Sequence, residues 1–235
     1  MPKPGAYDQI VSLGYDCRLA YNLRRAFGFT RAGPFDWWVT PLPALVAFLG
    51  DPAVERLYDP ELLEPVMTPK GVWAIRNAHY DIELHHEFPR GEDGMVLPGW
   101  RDQIEGPRSR TAFLLDRLLT LTSGSRLLFV RHTKRQEGRA LGKAFEGLIG
   151  QLREALDARF PGYELLVIDP PYPIAAPDVQ ILRVGDVSKS PWFGEPELWS
   201  AALLGTGITW NGTPSEAPAL VKPEADHEFL IPSEG

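Results

Sequence analysis

Cys17 is the only cysteine in the 235-residue chain, and it follows Ser12-Leu13-Gly14-Tyr15-Asp16, where an apolar run gives way to helical spacing. Unpaired backbone N–H groups and the positive end of the macrodipole favour a thiolate at such a helix start, so the spacing predicts a lowered thiol pKa. That chemistry is nucleophilic attack by sulfur, with a nearby base to take its proton. Asp16 opposes this by charge unless its carboxylate points away. A buried structural cysteine is the plain alternative. The five candidate bases are His79, His85, His86, His132 and His227. Alternation along Tyr80-Asp81-Ile82-Glu83-Leu84-His85-His86 puts Tyr80, Ile82, Leu84 and His86 on one face and Asp81, Glu83 and His85 on the other. His86 is therefore the expected base, with His85 and His227 as alternatives.

Other residues carry chemistry of different kinds. Asp36, within Pro34-Phe35-Asp36-Trp37-Trp38, could orient the base, and Trp37 could give a stacking platform for a sugar. A core plug with Asp36 capping a turn is the plainer expectation for the same block. Arg131, His132 and Arg135 fall just past an apolar run, where an α/β sheet binds ligands; clustered donors there suit a phosphate or carboxylate. Asp169 also closes an apolar run and is a candidate third catalytic member, and Asp226-His227 offers a late Asp-His alternative. Arg108 and Arg110 at a helix start call for an anion or an acidic partner. The histidine spacing matches no familiar zinc pattern, so no metal is expected, and no other cofactor either.

The elements that must position these groups are legible as periodicity. Gln9–Leu13, Arg126–Arg131, Glu164–Ile168 and Val179–Val184 are short apolar runs bounded by turn signals, as doubly covered strands should be. Val72–Arg76 and Tyr80–His86 are predicted as strands around a turn at Asn77-Ala78. Helices are predicted over Cys17–Phe27, closed by Gly28, and over Pro43–Leu49, Ser109–Thr122, Leu141–Phe160 and Pro196–Leu204. Phe113, Leu114, Leu118 and Leu121 should form the apolar face of the third of these. Alternating strands and helices predict an α/β fold, a three-layer sandwich around a mostly parallel or mixed sheet, in one domain over residues 1–210. Residues 211–235 are Pro-rich and acidic and are expected to form an extended tail.

Composition narrows the functional classes. The chain is 44% hydrophobic and 23% charged, which suits a folded domain and not a disordered one. A net charge of −7 argues against a nucleic-acid partner. The apolar stretches are far short of a membrane span, and Met1–Asp8 lacks a signal core, so a cytoplasmic protein without a membrane partner is expected. One cysteine excludes an internal disulfide framework.

The blocks Ser12-Leu13-Gly14-Tyr15-Asp16-Cys17, Leu23-Arg24-Arg25, Pro34-Phe35-Asp36-Trp37, His86-Glu87-Phe88 and Leu128-Phe129-Val130-Arg131 together resemble a bacterial family of unknown function described as papain-like cysteine peptidases. The resemblance spans roughly residues 9 to 190, with Glu87 where the family more often has Asp. It implies Cys17 as nucleophile, His86 as base and a papain-like α+β fold as the alternative to the α/β sandwich. Two functional expectations follow. One is a thiol-dependent hydrolase or acyltransferase acting on a small-molecule, glycan or peptide substrate. The other is a non-catalytic α/β module that binds an anionic small molecule, such as a nucleotide-sugar or glycan, through Trp37 and the Arg131–Arg135 region.

Overall fold

A computed structural model describes residues 2–29, 31–120, 125–186 and 193–212. Its centre is a parallel sheet of four strands in the order β2 (Gln9–Ser12), β6 (Leu127–His132), β7 (Tyr163–Ile168), β8 (Val179–Leu182). A short strand β1 (Gly5–Tyr7) precedes β2 and pairs in parallel with β9 (Ile208–Trp210). The chain thus runs outward from β2 to β8 and then returns to pair β9 with β1. In open α/β sheets ligands bind outside the carboxyl ends of the strands.

Alternation along the strands feeds two cores, as a sheet covered on both faces requires. Val11, Phe129, Leu165 and Val167 pack with α2 (Leu42–Gly50), α4 (Glu105–Leu119) and α6 (Ala144–Asp157). Ile10, Leu128, Val130 and Leu166 pack on the other face with α1 (Cys17–Phe27) and α7 (Pro196–Leu204). The expected three-layer α/β sandwich is the fold observed, and its all-parallel central sheet differs from a papain-like α+β arrangement. Leu19 and Leu23 of α1 are fully buried beside Trp199 and Leu203, each leucine contributing about 2 kcal/mol of burial. Helix α1 has the predicted bounds because both ends carry their signals. Asp16 caps the start by accepting from the Arg18 N–H at 3.2 Å, and Gly28 closes it at φ 74°.

Between α3 (Val54–Leu57) and α4 lies an antiparallel sheet of β3 (Leu63–Thr68), β4 (Gly71–Asn77) and β5 (Ile82–Leu84). Its buried residues Ile75, Ile82 and Leu84 belong to the same core as α2. Three sequence expectations fail here and nearby. β3 lacked a clean alternation signal, since Glu64, Pro65 and Met67 are exposed. The predicted helix over Leu141–Phe160 is observed as the shorter α6, and an unpredicted helix, α5 (Arg135–Leu141), precedes it and ends where Gly142 takes φ 52°. Phe113 is 63% exposed, because α4 turns Thr111, Leu114, Leu115 and Leu118 to the core and Phe113 lies off that face. Leu121 and residues 213–235, including His227 and nearly all of the predicted tail, lie outside the described residues. No helix among the described residues is long and apolar enough to cross a membrane.

Candidate functional site

The loop from Leu13 to Asp16 joins the carboxyl end of β2 to α1 and sets Cys17 as the first helical residue. The parallel ladder holds this loop. Leu13 N donates to Val130 O at 2.8 Å, and His132 N donates to Gly14 O at 3.0 Å. Gly14 has φ 76°, and a Cβ there would lie 2.3 Å from Thr40 Oγ1, so the turn is closed to larger residues.

Arg131 explains how a charged residue can end a buried strand. Its side chain is fully buried, and its Nη1 donates to Leu13 O at 2.9 Å and Thr40 O at 2.8 Å. Nη2 pairs with Glu137 Oε1 at 2.6 Å, and that oxygen also accepts from Leu42 N at 2.6 Å. The sequence pointed to Arg131 as a ligand donor. Its two Nη groups are engaged by backbone and Glu137, with Nε buried and unpartnered, so it serves instead as a strut beneath the Cys17 loop.

Asp16 is the electrostatic centre of the side chains around Cys17. Its carboxylate pairs with Lys134 Nζ, which also lies 5.1 Å from the centre of the Tyr15 ring. Burial is the largest influence on the Asp16 carboxyl and works to raise its pKa, but Lys134, by charge and hydrogen bond, together with His132 and Arg18 brings the net value below the usual one. Cys17 responds oppositely. The residue keeps part of its surface in solvent, yet packing around the sulfur pushes the thiol pKa up, and Asp16 adds to the rise. Lys134 and Arg18 act weakly against it. The lowered pKa expected from the helix start is therefore not found: desolvation and the adjacent carboxylate exceed the helix-terminal effect.

Three imidazoles stand around this centre. His132 ends β6, is buried, and packs edge-on to Trp199 at 5.0 Å with its Nδ1 left without a hydrogen-bond partner. Burial lowers its pKa to about 3. His85 is buried against Trp73 at 4.8 Å, with Nδ1 3.3 Å from an Arg90 guanidinium nitrogen, and burial lowers its pKa to about 2. His86 is half-buried, meets Trp37 edge-on at 5.8 Å, and has a pKa lowered to about 4 by burial, with Arg90 lowering it further and Asp16 raising it. The alternation used to separate His85 from His86 does not extend to them, because β5 ends at Leu84 and both lie in the following turn. No hydrogen bond joins the Cys17 thiol to an imidazole among the described residues. Asp16 is the group whose charge reaches both Cys17 and His86.

The remaining predicted residues take supporting places. Asp36 pairs with Arg24 and accepts from Gly33 N at 2.5 Å, which fastens the segment before Trp37 rather than orienting an imidazole. Trp37 lies between the Arg24 guanidinium, 5.4 Å from its ring, and His86. Phe35 and Trp38 are fully buried, with Trp38 Nε1 donating to Glu87 Oε1 at 3.1 Å. Arg135 is exposed at the start of α5. Asp169 accepts from the N–H groups of Val184 and Gly185 and so shapes the turn after β8. Arg108 and Arg110 find the expected acidic partners in Glu105 and Glu87. Lys134 falls within the Arg131–Arg135 run that the sequence offered for an anionic ligand, but nothing in the sequence pointed to its pairing with Asp16. No cluster that could hold a metal ion occurs among the described residues. Comparison with known proteins adds no name to this geometry: no family model, no curated protein and no solved structure matches the chain.

Proposed function

We propose that the protein is a thiol-dependent hydrolase or acyltransferase in which Cys17 is the nucleophile and His86 the base. The observation that supports this most is the placing of Cys17 in the first turn of α1, at the carboxyl end of β2, with Asp16 acting on both the thiol and His86. With the thiol pKa raised and the imidazole pKa at about 4, the resting pair is a neutral thiol and a neutral imidazole. His86 then accepts the thiol proton as the sulfur attacks an acyl carbon. The geometry of such a pair tightens when substrate binds. Backbone N–H groups at the start of α1 steady the oxyanion. The C–leaving-group bond breaks as the His86 imidazolium returns its proton to the departing atom. Water, or a second acyl acceptor, then releases Cys17. The same proposal gives a small acyl, glycan or peptide substrate in the cytoplasm, with no cofactor and with neither nucleic acid nor membrane as partner.

The test is a pre-steady-state burst with p-nitrophenyl acetate. One equivalent of p-nitrophenol per chain is expected, abolished in Cys17→Ala and strongly slowed in His86→Ala, since residues acting as one unit fail together. An unaltered burst in Cys17→Ala overturns the proposal. The raised thiol pKa weighs against thiolate chemistry, and the competing function is a non-catalytic module for an anionic small molecule. For that function no burst occurs, and a nucleotide-sugar stabilises the wild type and Cys17→Ala equally.

A further inference from the structure

Away from the thiol, a cavity of about 70 Å³ lies between β2, the segment around 31–36 and α4. Phe29, Leu114 and Trp210 give it apolar walls, while Arg31 and Arg117 bring two guanidinium groups to it. Asp36 is the one carboxylate among its lining residues, and it is already engaged by Arg24 and Gly33 N. Arg117 donates to Ala32 O and lies over the Phe113 ring at 5.7 Å, without a carboxylate partner. Arg31 makes no hydrogen bond or ion pair among the described residues. Two like charges thus share a partly enclosed space whose one carboxylate, Asp36, is hydrogen-bonded to Arg24 and Gly33 N and not to either of them. Burial, followed by the charge of Arg31, lowers the Arg117 pKa, and Asp36 offsets part of that fall.

Size and lining select the missing anion. A water needs about 10–15 Å³ by this kind of measure, so the cavity takes a ligand of about five or six heavy atoms. A bare inorganic anion would satisfy the arginines but would leave the aromatic and leucine walls facing nothing they can use. A carboxylate with a short hydrocarbon end satisfies both, its oxygens taking guanidinium N–H groups and its carbons covering the apolar walls. We propose that this cavity is a binding site for a small organic carboxylate, with the head group between Arg31 and Arg117 and the hydrocarbon against Phe29, Leu114 and Trp210. This site does not depend on the thiol chemistry.

The Trp210 indole is the local probe, since its Nε1 donates to Asp8 O at 3.3 Å beside the cavity. Its N–H resonance is assigned among the seven tryptophans by its loss in Trp210→Phe. The full-length protein is titrated with sodium butyrate and, at matched ionic strength, with inorganic phosphate. The expected result is a saturable shift of the Trp210 indole resonance with butyrate and not with phosphate. Arg31→Gln should weaken butyrate by about tenfold or more, the effect of losing one charge-assisted pair, while Arg31→Lys loses less. Arg31 is exposed, so these variants keep the fold, which the other indole resonances verify. No saturable shift, equal response to phosphate, or a butyrate constant unchanged in Arg31→Gln overturns the proposal.

Discussion

The floor and the wall of the Cys17 site are built on different principles. The floor is carried by the ends of β2 and β6, and hydrogen bonds to backbone fix it: Leu13 N donates to Val130 O, His132 N to Gly14 O, and the Arg131 guanidinium to the Leu13 and Thr40 carbonyls. The wall joins Trp37, from the segment before α2, to His85 and His86, which follow β5, and is held by ring contacts and by Arg24 and Arg90. A backbone ladder sets position to a fraction of an ångström, whereas ring packing admits alternative rotamers. The thiol therefore sits on the rigid side and its proposed base on the adjustable side.

The largest expected effect breaks the floor. Arg131→Met should destabilise the protein by about 3–5 kcal/mol, because it leaves the Glu137 carboxylate buried and unpaired. Changing both, Arg131→Met with Glu137→Gln, should recover part of that loss. Urea unfolding midpoints measure both, and a single variant as stable as wild type would mean that the strut is dispensable. Gly14→Ala comes next. Left-handed backbone costs a Cβ-bearing residue about 1–2 kcal/mol, and the contact with Thr40 Oγ1 adds to that. Thr40→Ala should offset the contact but not the backbone cost.

The same contrast governs what could be read from sequence. The floor was legible because apolar runs such as Leu127–Val130 leave few choices of strand, and because Gly14 and Gly28 punctuate the chain on either side of α1. The wall was not, since an alternation argument holds only while the strand lasts, and β5 stops one residue before His85. Arg131 was misassigned for a related reason. A charged residue at a strand end looks like a ligand donor in sequence, and only the fold reveals the Leu13, Thr40 and Glu137 groups waiting for it. The thiol pKa went the wrong way because a helix terminus is visible in sequence, whereas the desolvation that opposes it depends on tertiary packing.

Acid should act on floor and wall alike. His132 and His86 have folded pKa values of about 3 and about 4, below the unfolded value of about 6.5. The unfolded chain therefore binds more protons below pH 6.5, and stability falls as pH drops from there through the folded values. Above pH 6.5 their contribution is complete and flat. At pH 5 each imidazole accounts for a loss of up to about 2 kcal/mol relative to neutral pH. Denaturation at pH 7 and pH 5 checks this, with carboxylate titration removed by comparing wild type with His132→Gln and His86→Gln. Each variant should lessen the acid loss. A variant that leaves it unchanged means that its imidazole is already charged in the folded protein.

The smallest effect sharpens the comparison at the thiol itself. Lys134 and Arg135 are adjacent cations at the end of the floor, but only Lys134 pairs with Asp16 and lowers the Cys17 pKa. A partly exposed ion pair is worth about 0.2–1 kcal/mol, so Lys134→Ala should slow iodoacetamide alkylation at fixed pH by up to about fivefold. Arg135→Ala should leave the rate unchanged, since its side chain is exposed and has no part in the Cys17 shift. Asp16→Asn keeps a capping side chain but removes the charge that raises the thiol pKa, so alkylation should speed up. Equal slowing by Lys134→Ala and Arg135→Ala would mean that the thiol senses only the net charge of the loop. Opposite signs for Lys134→Ala and Asp16→Asn, with Arg135→Ala neutral, would mean that it senses one ion pair held in place by the ends of β2 and β6.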